Sequence, residues 1–112
     1  MKNINWDDFK KIEIRVGTII EVNDFPGSIK PAYKIKVDLG EKIGVKQSSA
    51  QITDLYSKEE LLEKQVLVVS NLPPKKIGPF ISECLITGFF REDKEVILAI
   101  PDSKVSNGLL LV

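Results

Sequence analysis

One long run of alternating side chains constrains this chain more than any other feature. Ile12, Ile14, Val16, Thr18, Ile20 and Val22 fall on one parity, and Glu13, Arg15, Gly17 and Glu21 fall on the other. A period of two marks a β-strand with one buried face. Gly17 lies mid-strand on the parity read as outward, where its missing side chain permits strong coiling or a bulge. A long, bent first strand can serve both halves of a small barrel.

The remaining segments fit that barrel. Ahead of the strand, Asn5 can cap a short helical turn, Asp7 and Asp8 favour its positive end, and Trp6 and Phe9 offer an apolar anchor. Phe25-Pro26-Gly27-Ser28 reads as a turn. In a second strand Tyr33, Ile35, Val37 and Leu39 point one way, with Lys34, Lys36 and Asp38 the other. Gly40-Glu41-Lys42 turns into a third strand, whose outward residues are read as Lys46 and Ser48. Ser57 and Glu60 form a capping box for a helix. Val66–Val69 is a buried strand, stopped by Asn71-Leu72-Pro73-Pro74, and two more strands are expected around Cys84–Phe90 and Val96–Ile100. This order predicts a single all-β domain over residues 1–112. Its expected form is an OB-fold, a five-stranded Greek-key barrel, with a helix between strands three and four and terminal extensions.

Composition narrows the chemistry. The chain has no histidine, which excludes Ser-His-Asp and Cys-His catalysis and His-ligated zinc. Its single cysteine, Cys84, can form neither an intramolecular disulfide nor a thiolate zinc site. Ser48, Ser49 and Ser82 have no base to activate them, and no phosphate-binding loop occurs. The reading is a non-enzyme with no metal and no cofactor. No apolar run is long enough for membrane insertion, and the polar, acidic start does not resemble a signal peptide. A cytoplasmic protein is expected.

Sixteen basic and sixteen acidic residues cancel, so any argument for an anionic partner must be local. One local site is the outer face of strands two and three, with Lys34, Lys36, Lys46 and Ser48 beside Lys30 and Lys42. In OB-folds this face is the usual oligonucleotide platform. Another is the proline-stiffened stretch Asn71–Gly78, with Lys75 and Lys76, because no acid occurs between Glu63 and Glu83. The plainer alternative is that these lysines only solvate exposed strands. No aromatic shares the lysine parity, so a backbone-tracking surface suited to folded RNA fits better than base stacking. Ile81–Phe90 and Val96–Ile100 are apolar on both parities, and the chain closes on Leu109-Leu110-Leu111-Val112. That surplus is read as buried against a second copy in a homodimer, the alternative being that the tail and first turn cover the chain's own barrel.

Longer strings carry a family resemblance over nearly the whole chain. Asp7-Asp8-Phe9, Ile14-Arg15-Val16-Gly17-Thr18-Ile19, Val37-Asp38-Leu39-Gly40 and Val68-Val69-Ser70-Asn71-Leu72 resemble the tRNA-binding domain found on some methionyl-tRNA synthetases and as free-standing proteins. Lys30-Pro31-Ala32-Tyr33-Lys34, Ser48-Ser49-Ala50-Gln51-Ile52-Thr53, Asn71–Ile77 and Ser82-Glu83-Cys84-Leu85 are most similar to its CsaA branch of small export-linked chaperones. The resemblance implies an OB-fold homodimer in which Lys30, Lys34, Lys36, Ser48, Ser49, Asn71, Lys75, Lys76 and Ser82 border the ligand site. Two strings depart from the family pattern. Phe25-Pro26-Gly27-Ser28-Ile29-Lys30 replaces a His-Pro-Asn-Ala-Asp-Lys loop, and Ser82-Glu83-Cys84-Leu85 keeps only the serine of a Ser-x-Gly-Met motif. The functional expectation is a chaperone that holds unfolded or pre-secretory polypeptides in apolar clefts bordered by Phe25, Phe80 and Ile81. The alternative is a free-standing tRNA-binding protein.

Overall fold

In the computed structural model, which describes residues 1–112, Ile14–Asp24 forms the long first strand, β1. Its two halves pair with different neighbours. Ile14–Thr18 runs antiparallel to β4 (Gln65–Val69), and Thr18–Asp24 runs antiparallel to β2 (Tyr33–Asp38). Outside these lie β3 (Val45–Ala50), next to β2, and β7 (Leu85–Ile86), next to β4, giving the order β3-β2-β1-β4-β7. Residues 82–84 bring the two edges together: the Glu83 N–H donates to Gln47 O at 2.8 Å, and the Gln47 N–H donates to the Glu83 carboxylate at 3.1 Å. Helix α2 (Lys58–Leu61) connects β3 to β4 behind the Ser57–Glu60 capping box, and its Leu61 is fully buried. The architecture is the OB-fold.

The barrel interior is filled by Ile19, Ile35, Val37, Leu39, Val66 and Val68, all essentially inaccessible to solvent. β2 follows its predicted alternation. β1 does not keep one parity throughout. Its pairing with β2 shifts between Ile19 and Glu21, a β-bulge, so Ile19 is buried and Ile20 is 47 % exposed. Before the bulge Gly17 faces inward, not outward. A Cβ there would collide with the Val37 side chain and lie 2.8 Å from Leu39 Cδ2. The glycine is therefore a packing requirement of the barrel as well as a site of coiling.

The opposite side of β1 is covered by the chain's own C-terminal segment. Val16 donates its N–H to Leu109 O at 3.0 Å and accepts from Gly108 at 2.7 Å, while the Leu111 N–H reaches Ile14 O at 2.7 Å. Thr18 Oγ1 donates to Asn107 Oδ1 at 2.7 Å. The tail thus covers its own barrel, yet Leu109, Leu110 and Leu111 stay about half exposed. Helix α1 (Trp6–Lys10) has the expected Asn5 cap, completed by Asp8 into a capping box. Its Trp6 is 80 % exposed, so only Phe9 serves as an anchor within the chain.

Two further segments differ from expectation. The run Cys84–Phe90 is not one strand: it breaks at Thr87 into β7 and β8 (Gly88–Phe90), and β8 pairs with β9 (Val96–Leu98). Thr87 donates its N–H to Leu67 O and accepts the Ala99 N–H, which holds the break in place. Where a plain loop was expected, β5 (Lys75–Ile77) and β6 (Phe80–Ser82) form a hairpin. Its turn is made by Gly78, with φ +59°. No helix is long and apolar enough to cross a membrane.

Candidate functional site

The β2–β3 register sorts the predicted lysine face. Lys34 stands opposite Ser49 and Lys36 opposite Gln47, on the outer side. Ser48 lies opposite buried Ile35, and Lys46 opposite buried Val37. The outward assignment of Lys46 and Ser48 is therefore corrected by one residue: Gln47 and Ser49 take those places. A one-residue change of phase flips every side chain of a strand.

The outer lysines are partly occupied within the molecule. Lys36 Nζ is 3.5 Å from the Glu21 carboxylate, and the Lys34 ammonium sits 5.7 Å from the centre of the Phe25 ring. Together with Asn23, Gln47 and Phe80 they line a shallow groove of about 150 Å³. The β5–β6 hairpin borders this groove, tied down by Gln47 Nε2 donating to Ile81 O at 2.8 Å. Lys30 is exposed in the preceding loop.

Within the hairpin, Lys75 pairs with buried Ser82 and so shares its barrel-facing side, while Lys76 and Ile81 form the solvent side. Behind Lys75 opens a larger cleft of about 710 Å³, where Ser48, Ser49 and Ser82 meet Leu72, Pro73, Ile77, Leu85, Phe89 and Phe90. Phe89 is 67 % and Phe90 81 % exposed. The cleft residues were not picked out by sequence, because both parities around Ile81–Phe90 are apolar and only the break at Thr87 decides which face turns out. The three residues expected to border a polypeptide site lie elsewhere. Phe25 is buried and packs on Phe80 with ring centres 5.3 Å apart, and Ile81 points to solvent. Asn71 is also engaged: its Oδ1 accepts the Glu13 N–H at 2.9 Å, and its Nδ2 donates to Lys11 O at 2.7 Å. It clamps the joint between α1 and β1.

Cys84 lies in the cleft wall with its Sγ 3.7 Å from Gln47 O. Burial pushes its thiol up to about 11, opposed by the positive charge of Lys46. The group is a neutral structural thiol at neutral pH.

Comparison with known proteins follows the same lines. Residues 14–109 match the family described as "Putative tRNA binding domain". The methionine–tRNA ligase of Thermococcus kodakarensis is 38 % identical over 108 residues, 96 % of this chain but 14 % of the ligase. The chain thus spans about one seventh of the curated relatives it matches. The crystal structure of a CsaA chaperone protein from Picrophilus torridus superposes with a TM-score of 0.92 at 49 % identity, covering 98 % of this chain and all of that one. That of chaperone CsaA from Bacillus anthracis gives 0.93 at 36 % identity, covering 99 % of this chain and all of that one. With its OB-fold barrel and terminal extensions, this chain belongs to the tRNA-binding-domain family, in its CsaA branch.

Proposed function

We propose that the chain is a non-enzymatic chaperone that holds unfolded or pre-secretory polypeptides in the cytoplasm, working as a homodimer without a cofactor. One observation carries the reading: the 710 Å³ cleft exposes Phe89 and Phe90 beside Leu72 and Leu85. Two aromatic side chains exposed next to further apolar residues in a concave site give an apolar segment a surface to pack against. The names of the two CsaA structures support the same reading. Phe89 and Phe90 replace Phe25, Phe80 and Ile81 as the contacts with the client chain.

The dimer is supported by a second apolar surface. Trp6, Ile12 and the half-exposed Leu109, Leu110 and Leu111 flank the first half of β1 from its two termini. Burying such a patch at about 25 cal/mol per Å² favours association of two copies. Sedimentation at micromolar concentration would give twice the chain mass, and Trp6→Glu with Leu110→Glu would give a monomer.

The function is tested by light scattering of a chemically denatured reporter protein diluted into buffer. The wild-type chain suppresses aggregation, and Phe89→Asp with Phe90→Asp loses that suppression while keeping its circular dichroism spectrum. Undiminished suppression by the double variant would remove the cleft from the function.

A second reading is tRNA binding, supported by the family match and by Lys75 and Lys76, which form no ion pair. Lys30, Lys34, Lys36 and Ser49 would extend this surface across the outer face of β2 and β3.

A further inference from the structure

We infer that the cleft selects apolar polypeptide segments that carry an acidic side chain, and that Lys75 makes the selection. The inference rests on the polypeptide-binding reading above and names the class of segment that site takes.

Lys75 is the one charged side chain among the cleft's 18 lining residues. Of the hydroxyls lining the cleft, those of Ser48, Ser82 and Thr87 are engaged within the fold, and that of Ser49 is not. Ser48 Oγ donates to Ser49 O at 3.0 Å, and Ser82 Oγ donates to Cys84 O at 3.4 Å while accepting the Ser49 N–H at 3.3 Å. No acidic residue neutralises Lys75. The sequence holds none between Glu63 and Glu83, and the Glu83 carboxylate, which accepts the Gln47 N–H, makes no ion pair with Lys75.

The acids nearest in sequence to the Phe90 end are Glu92, Asp93 and Glu95, which do not line the cleft. Glu95 pairs with Arg91 at 3.7 Å, and Asp93 Oδ1 accepts the Glu95 N–H at 3.2 Å. A segment lying in the cleft therefore meets mostly apolar walls, the polar side chains of Ser49 and Gln51, and one ammonium, that of Lys75. A carboxylate on that segment gains an ion pair beside low-dielectric surface, whereas a lysine or arginine meets a like charge with no acid in the walls to offset it.

The test uses the whole chain and three labelled peptides followed by fluorescence anisotropy at low salt. All share one apolar core, are acetylated and amidated to remove terminal charge, and differ only in a flanking Glu, Gln or Lys. The Glu peptide binds about threefold to fivefold more tightly than the Gln peptide, the scale of one exposed ion pair, and the Lys peptide binds most weakly. The spread collapses toward equality in high salt. Lys75→Glu reverses the order. Lys104→Glu makes the same change in net charge outside the cleft and preserves it.

Equal binding of the three peptides overturns the charge selection while leaving the cleft as a polypeptide site. An unchanged order in Lys75→Glu overturns the role of Lys75. If no peptide binds, the polypeptide reading falls and the inference with it. If a short unpaired RNA displaces all three peptides from the cleft, the site is assigned to RNA instead.

Discussion

Phe25 and Phe80 meet with ring centres 5.3 Å apart and planes tilted by 57°, fastening the loop after β1 to the tip of the β5–β6 hairpin. Tilted aromatic pairs contribute about 0.5–1.5 kcal/mol beyond the area they bury. A double-mutant cycle in urea, with Phe25→Leu, Phe80→Leu and both together, should return a coupling of that size. A coupling near zero would make the contact incidental, and the hairpin would then be held by its hydrogen bonds to β3, Gln47 Nε2 to Ile81 O and the Ser49 N–H to Ser82 Oγ.

Gly17→Ala tests the inward reading of β1. Its new methyl group would meet Val37 and Leu39 in a filled barrel. Overpacking of this kind costs about 1–3 kcal/mol. Thermal unfolding should show a drop in Tm of several degrees. An unchanged Tm would return Gly17 to the solvent side.

Cys84 makes stability fall in alkali. Its thiol titrates at an ordinary value of 9.0 when exposed and at about 11 in the fold. The folded chain therefore keeps a proton that the unfolded chain has lost, and unfolding is favoured as pH rises. The stability present below pH 9 is lost between pH 9 and 11, with a slope of up to about 1.4 kcal/mol per pH unit. Comparing Cys84→Ala with wild type across that range isolates the thiol from the lysines and tyrosines that titrate nearby. Parallel pH curves for the two proteins would refute the assignment.

For the RNA reading, a gel shift of total tRNA at about 50 and about 200 mM salt should show affinity falling steeply with salt. Lys75→Glu with Lys76→Glu should weaken binding and flatten the dependence of log affinity on log salt by about two. Binding that ignores both substitutions would move the RNA site off the hairpin.

Much of this molecule is legible in its sequence, and the gaps have physical causes. β2 keeps strict alternation because it lies between two strands and is buried on one face. The Ser57–Glu60 capping box and the Asn5 cap are local, so four residues suffice to read them, although the return bond from Asp8 that completes the second box was not anticipated. β1 misleads because a bulge at Ile20 changes its phase, and a period-of-two reading cannot detect a one-residue insertion. β3 misleads because Ser48 is polar yet only 1 % exposed, so hydrophobicity does not mark its buried side. The β5–β6 hairpin has three-residue strands among Pro and Gly, too short for periodicity to register. The candidate site fared worst, since Phe89 and Phe90 owe their exposure to a break at Thr87 held by long-range backbone bonds to Leu67 and Ala99.

The bonds from Gly108, Leu109 and Leu111 to Val16 and Ile14 also set the order of events during synthesis. The first strand leaves the ribosome early, with one edge of its leading half unpaired, and that edge stays open until residue 111 has emerged. An open strand edge is a template for pairing with other nascent chains. Closure of this edge thus waits for residues 108–111, and a chain interrupted before Gly108 would be the species most exposed to aggregation.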